Sequence, residues 1–428
     1  MKKFTILAVA ALSLAACREN DSMVESSNFA MNAASAADYN VSGLPVTTVS
    51  GNITSNTTWS GVVELDGIVR VKDGATLTIQ PGTFIKAKPH ADTSATGVLV
   101  VTKTGKINAV GTATQPIVFT SYNLLDNNSS TTASPKDFGG VILLGDAPVN
   151  TGVNTNLIEG IDVGQTNIEE FHYGGSNAAH NAGSMQYVRI EYAGRIIGDG
   201  NEINGLTCGG VGSGTTLDHI QVSYGADDAF EFFGGTVNAS NIIAFAQDDD
   251  GFDFDLGYTG TINNALALAD INSSHAGVPT KPDSNGIELD NNAAGAFTAL
   301  LTHPTINNLT IVGVENGTDG NLFKSGILVR RHGQLTLNDA VVTGYPTGIK
   351  VEGTGSQLFA TNSNLVKAHG FTTAATGAGT ANIPAANLAT GTPAASWGMD
   401  APFFNGLSLD LSPRNSGDFQ GTWTKYDF

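Results

Sequence analysis

The sequence predicts an all-β chain wound as a right-handed, single-stranded parallel β-helix, with long loops on one side and a capping region at its C-terminal end. Three observations carry that expectation. The first is a six-residue frame in which apolar and polar side chains alternate: NGLTCG (Asn204 to Gly209), DAFEFF (Asp228 to Phe233), DGFDFD (Asp250 to Asp255), NGIELD (Asn285 to Asp290), SGILVR (Ser325 to Arg330) and TGIKVE (Thr347 to Glu352). Its copies start 24, 22, 35, 40 and 22 residues apart. The second is another strand pattern between the copies: TTLDHIQVSY (Thr215 to Tyr224), TVNASNIIAF (Thr236 to Phe245), TINNALALA (Thr261 to Ala269), TINNLTIVG (Thr305 to Gly313) and LTLNDAVVTG (Leu335 to Gly344). The third is composition: 52 Gly, 41% hydrophobic and only 14% charged residues describe a well-cored chain rich in turns, in which helix is scarce. One such unit cannot bury its inward Ile, Val, Leu and Phe alone, so it stacks on its neighbours at about 4.8 Å. Asn at a fixed turn position can then hydrogen-bond its copy in the next coil, and Asn263, Asn307 and Asn338 are candidates for that ladder.

Taken in chain order, residues 1–16 read as a secretory signal. Lys2 and Lys3 precede an apolar run from Phe4, and Leu14-Ala15-Ala16-Cys17 matches a lipoprotein cleavage box. Cys17 is then the expected lipidation site, and two or three acyl chains hold a protein on a membrane at about 0.8 kcal/mol per buried methylene. Residues 17–43, rich in Ser, Asn and Ala, read as a flexible tether. Arg18 directly after the lipidated Cys is compatible with sorting to an outer membrane, facing the periplasm or the exterior. Residues 44–354 are the expected β-helix. Its opening coils are GIVRVKDGATLTIQPGTFIKA, GVLVVTKTGKINAVGTATQPIVFTS and FGGVILLGDAPVN, and residues 355–428 are the expected C-terminal coil and capping region. Trp397, Phe403, Phe404 and Trp423 break the period there and are suited to cover the last open coil.

The 35- and 40-residue intervals contain one coil plus loops. Ala269 to Ser284, Asn291 to His303 and Val314 to Lys324 are loops by their Gly, Pro, Asn and Ser content. Loops leaving a solenoid at one corner usually build its binding face. The formal charge of -19 becomes -21 once Lys2 and Lys3 leave with the signal, which disfavours nucleic acid and favours cations or neutral ligands. Without Cys17, Cys208 has no disulfide partner, and its place in the apolar alternation marks it as a small buried side chain.

The candidate site is the set of acids in the fourth and sixth positions of the frame, which point away from the core. They are Glu231, Asp253, Asp255, Glu288 and Asp290, with Arg330 and Lys350 in the following copies and Asp228, Asp250 and Asn285 at the preceding turns. Carboxylates stacked at about 4.8 Å repel by roughly 0.9 kcal/mol per pair in water and several times more at an effective dielectric near 20. A bound hard cation, neighbouring Arg or Lys, or protonation can compensate. Oxygen-only ligands on a rigid scaffold favour Ca²⁺, which Asp227, Asp248 and Asp249 could also help to hold. An EF-hand does not fit, because Gly251 would put Ala246 at the first ligand position. The simplest alternative is a surface charge ladder that offsets itself.

The run from Gly209 to Asp255, followed by SNGIELDNNA, resembles a family of right-handed parallel β-helix outer-membrane lipoproteins of Bacteroidetes and some Proteobacteria, with a pectate-lyase-like fold. The resemblance covers about Val46 to Phe428. It implies the fold and, at family level, a place beside an outer-membrane nutrient transporter, but no catalytic set. The expectation is therefore an outer-membrane β-helix binding an extracellular ligand, a glycan, with calcium. A polysaccharide lyase or glycoside hydrolase is the alternative, as is a structural surface protein. A lyase would use the five acids for Ca²⁺ and Arg330 or Lys350 as base, while a hydrolase would use two carboxylates about 5 to 9 Å apart. The NTD, DD, GHG and RIK series of polygalacturonases is absent. Tyr187, Tyr192 and Tyr224 read as core or rim packing, and His180, His219 and His332 as surface or turn residues.

Overall fold

A computed structural model of the chain describes residues 39, 41–89, 97–128, 130–162, 164–194, 203–270, 284–313, 323–391, 419 and 422–425. Cys17, the signal, most of the expected tether, Trp397, Phe403, Phe404 and much of the 269–284 and 314–324 loops lie outside them. Strands follow one another from Val46–Ile53 to Leu388–Thr390, joined in one continuous parallel sheet system. Among the described residues there is no α-helix. The chain is a right-handed parallel β-helix.

Its register is the one the frame dictates. Leu206–Gly209, Phe230–Phe233, Phe252–Asp255, Ile287–Leu289, Ser325–Val329 and the second half of Ala340–Val351 stack in order. Thr207, Glu231, Asp253, Glu288, Leu328 and Lys350 fall in one column. The inward partners are buried, and Phe230 on Phe252 (5.4 Å) and Phe232 on Phe254 (5.5 Å) form two aromatic columns, the second flanked by Tyr258. Cys208 belongs to the same core, where burial raises its thiol far above the usual range. The frame's second position is nearly always Gly because a side chain there strikes the next wall: a Cβ on Gly205 would sit 2.2 Å from Val222, and on Gly326 2.2 Å from Val342.

The Asn ladder forms. Asn307 Nδ2 donates to Asn263 Oδ1 at 2.7 Å, and Asn338 Nδ2 donates to Asn307 Oδ1. A second ladder runs beside it, Asn264 to Asn241 at 2.7 Å and Asn308 to Asn264 at 2.8 Å. Its three members have φ of 54°, 62° and 55°, a left-handed bend that Asn tolerates better than most residues. Asn307→Ala breaks both bonds of the first ladder and is expected to cost about 1 kcal/mol per bond, read from urea unfolding; an unchanged midpoint would make that ladder ornamental.

Parallel coils continue past 354 through Val366–Thr376 and Leu388–Thr390. Two departures from the expected plan have packing reasons. Tyr39 and Val41 are buried, so the chain is docked before residue 44. Tyr39 donates to Glu191 Oε2 at 2.6 Å, beside Thr120 at 2.7 Å. Trp423 does not cover the last coil. It lies edge-on to Tyr187 (6.3 Å) and His219 (5.3 Å), in an apolar patch of Ile243, Phe245, Leu266, Leu268, Val312 and Val341 on the outer wall. That wall departs from alternation because Phe419 and Trp423 of the C-terminal segment rest on it. Tyr192 and Tyr224 stack at 5.3 Å on the same side, as rim packing.

One excursion escaped the sequence reading. Residues 145–182 fold back over the outer face through an antiparallel pair, Asn156–Leu157 with His172–Tyr173. Ile158, Ile161, Phe171 and Tyr173 then pack on Val98, Val100, Ile142, Leu144 and Phe233. Arg70 and Lys72 bind Glu170, and Lys103 Nζ donates to the carbonyls of Asn154 (2.9 Å) and Gly174 (2.7 Å). His180, expected as a surface or turn residue, follows a turn near the end of this excursion, is buried and contacts the Lys103 carbonyl at 3.2 Å.

Candidate functional site

The first position of the frame holds a ladder of side-chain oxygens, each accepting a backbone N–H of the next coil. Asn204 Oδ1 receives Asp228 N (3.2 Å), Asp228 Oδ1 receives Asp250 N (2.8 Å), Asp250 Oδ1 receives Asn285 N, and Asn285 Oδ1 receives Ser325 N (3.1 Å). Asp228, Asp250 and Asn285 therefore have a structural role that position alone did not disclose. An amide serves it as well as a carboxylate, because Asn does so on the coils to either side. The two central coils nevertheless carry Asp, and both residues are buried. A buried charge where a neutral isostere suffices is costly unless something compensates it.

The fourth position of the frame, with Asp227 and Asp249 just ahead of the frame, supplies the rest. Three sets of acids each place ligand oxygens within 4.8 Å of one another: Asp227, Asp228 and Asp249; Asp228, Glu231 and Asp253; and Asp250, Asp253 and Glu288. The sets share Asp228 and Asp253, so the oxygens form a continuous row across three coils. Asn204 Nδ2 donates to Glu231 Oε2, and Asn285 Nδ2 reaches Glu288 Oε2 at 3.4 Å. Asp253 Oδ1 is buried and has no hydrogen-bond partner among the described residues.

Burial is the main reason these acids resist ionisation. Burial and then Asp250 push Asp228 well above the carboxylate range, and burial with Glu159 and Asp253 does so for Glu231. Asp249 and Glu288 add to burial at Asp250, and Glu288 and Asp255 add to it at Asp253. Glu159, on the excursion, thus lies close enough to act on Glu231 and Asp253. Nothing in the sequence placed it there, because its position follows from where the excursion lands.

The remaining expected residues divide differently. Asp255 accepts its neighbour Leu256 N–H at 2.6 Å and, raised by burial, titrates at about 7. It borders the row without joining a set. Asp290 accepts Arg330 Nε at 2.8 Å and is also bound by Arg331 Nη1, while Arg330 Nη2 binds Glu288. Burial disfavours the charged Arg330, but the Asp290 hydrogen bond and the charge of Glu288 outweigh it and raise its pKa further. Arg330, the residue expected as base if the protein is a lyase, is engaged by two carboxylates that favour its guanidinium form. Lys350 pairs with Glu352, two coils beyond Glu288, outside the three sets. Asp248 is buried but likewise belongs to none of the sets.

The donors are all carboxylate oxygens, carried on the strands and on the turns that lead into them, and one of them, Asp253 Oδ1, has no hydrogen-bond partner among the described residues. Such donors suit a hard divalent cation of the Ca²⁺ type, which Asp228, Glu231 and Asp253, or Asp250, Asp253 and Glu288, could hold.

A parallel β-helix bearing a row of buried acids on one outer face defines the class of this protein. The family model described as a pectate-lyase like beta helix domain matches residues 51–396, and the chain belongs to that family. No curated protein and no solved structure is significantly similar to it.

Proposed function

We propose that this protein binds an acidic glycan through calcium held in the carboxylate row, displayed from an outer membrane by a lipid anchor at Cys17, next to a nutrient transporter. The observation that carries the reading is the pair Asp228 and Asp250, carboxyl groups at buried ladder positions where Asn serves on neighbouring coils. A cation offsets their repulsion and leaves coordination sites for a ligand carboxylate. Binding is favoured over elimination because Arg330 is engaged by Glu288 and Asp290 and stays protonated. Hydrolysis is the second reading, favoured by one observation: acids with raised pKa lie within 4.8 Å of other acids, so one could donate a proton while another ionises.

Calorimetry with Ca²⁺, followed by polygalacturonate or alginate, tests the proposal. The wild type is expected to take up Ca²⁺ and then retain the polymer. Asp253→Asn with Glu288→Gln is expected to lose both heats, and heats equal to wild type would remove the metal from the account. Incubation with either polymer should produce neither the ultraviolet absorbance of unsaturated ends nor new reducing ends. The appearance of either would replace binding by lysis or hydrolysis.

A further inference from the structure

The loop 291–303 leaves the acid strand directly after Asp290 and carries Phe297, which at 72% is the most exposed large apolar side chain among the described residues. Its exposure does not come from a slack loop. Asn291 Nδ2 donates to Ala296 O (2.8 Å) and Thr298 Oγ1 (2.9 Å), Asn292 Nδ2 donates to Ala296 O (2.9 Å), and Ala296 N returns to Asn292 Oδ1 (2.9 Å). Asn150, from the excursion, fixes the loop base through Asn291 O (2.7 Å) and Oδ1 (3.0 Å). The ring stands edge-on to His332 at 5.8 Å.

His332 and its neighbour Arg331 are both left-handed, with φ of 68° and 51°, a conformation non-glycine residues adopt only when their surroundings impose it. The turn sends Arg331 back to Asp290 and sets His332 beside Phe297. Acid row, Asp290, Arg331, His332 and Phe297 thus form one unbroken track from the proposed cation site to the loop tip.

We propose that Phe297 is a stacking platform for one pyranose ring of the bound glycan, a neighbouring ring's carboxylate reaching the cation. This rests on the calcium and glycan reading above. A single exposed aromatic ring matches the apolar face of a sugar, with Arg331 and the amide-rich loop rim supplying polar contacts. It is too small for a protein partner, which needs a contiguous patch of several hundred Å².

The test is calorimetry of Phe297→Ala and Phe297→Trp with Ca²⁺ alone, then with polygalacturonate and alginate in Ca²⁺. The alanine variant is expected to keep the wild-type Ca²⁺ heat and to bind the polymer about tenfold more weakly, the scale of one lost ring contact. Tryptophan is expected to keep or improve affinity. Polymer binding by Phe297→Ala equal to wild type would overturn the platform. So would a changed Ca²⁺ heat, since the loop would then act through the acid row. If the wild type binds neither polymer, the glycan reading itself fails and the platform falls with it.

Discussion

Stripped of divalent cations, the protein is expected to melt at progressively lower temperature as the pH rises from about 4, where an unfolded carboxyl titrates, through about 7, the value of Asp255, and beyond. Asp228, Glu231, Asp250 and Asp253 are also raised well above the carboxylate range, chiefly by burial. The folded state therefore binds these protons more tightly than the unfolded chain. Their contribution to stability is complete below the unfolded value and is lost as the pH climbs through the folded values, where the row becomes charged. Calcium should reverse the loss at high pH, by about 2.7 kcal/mol when present at a hundredfold excess over its Kd. It should also release protons, so that its binding heat depends on the buffer's ionisation enthalpy. Melting curves with chelator and with Ca²⁺, at pH 4 to 9, decide the matter. A chelated protein equally stable across that range, or one indifferent to Ca²⁺ at pH 8, would mean the acids are offset within the protein.

The second large effect is a stabilising substitution. Asp228→Asn with Asp250→Asn keeps both ladder oxygens, so the bonds to Asp250 N and Asn285 N survive. It removes two charges from the row, where each ionised pair at about 4.8 Å repels by roughly 3.5 kcal/mol at an effective dielectric near 20. The chelated double variant is expected to melt well above the chelated wild type at pH 8 and to lose most of its Ca²⁺ heat. Asp250→Ala instead leaves the Asn285 N–H without its acceptor and is expected to destabilise the protein by about 1 to 3 kcal/mol. If the asparagine variant falls as far as the alanine variant, the carboxylate charge is structural and the cation account is wrong.

The two experiments separate the charge of these residues from their geometry. One side chain does two things here: Oδ1 of Asp228 or Asp250 closes the ladder, while the carboxylate as a whole contributes to the row. That division explains why Asn285, in the same column, supports Asp250 and Glu288 without adding a charge of its own.

Much of this was legible from side-chain order. A period-two frame fixes which residues face inward, and stacking identical frames fixes their register, so the column of Glu231, Asp253 and Glu288 follows from local rules. The Asn263, Asn307 and Asn338 ladder followed in the same way. The site's edges did not. The frame sets Asp290 one coil from Arg330, but Arg331 also turns onto it, and the left-handed turn that brings it there has no sequence signal. Phe233 occupies an outward position and is nonetheless covered by Tyr173, 6.0 Å away, from an excursion whose landing place no repeat encodes.

By itself, then, the sequence determined the parallel β-helix, the inward and outward assignment of its central coils, and the confinement of acids to a few of them. These are consequences of alternation and of the need to stack, both local to a coil. The tertiary structure alone decided which acids are buried together, that Asp228 and Asp250 also close a ladder, that Arg330 is held as a cation, and that Glu159, Phe297 and Trp423 take the places they do. Each of these depends on segments far apart in the chain meeting on the outer face, where burial and pairing are set by what packs over a residue and not by its place in the repeat.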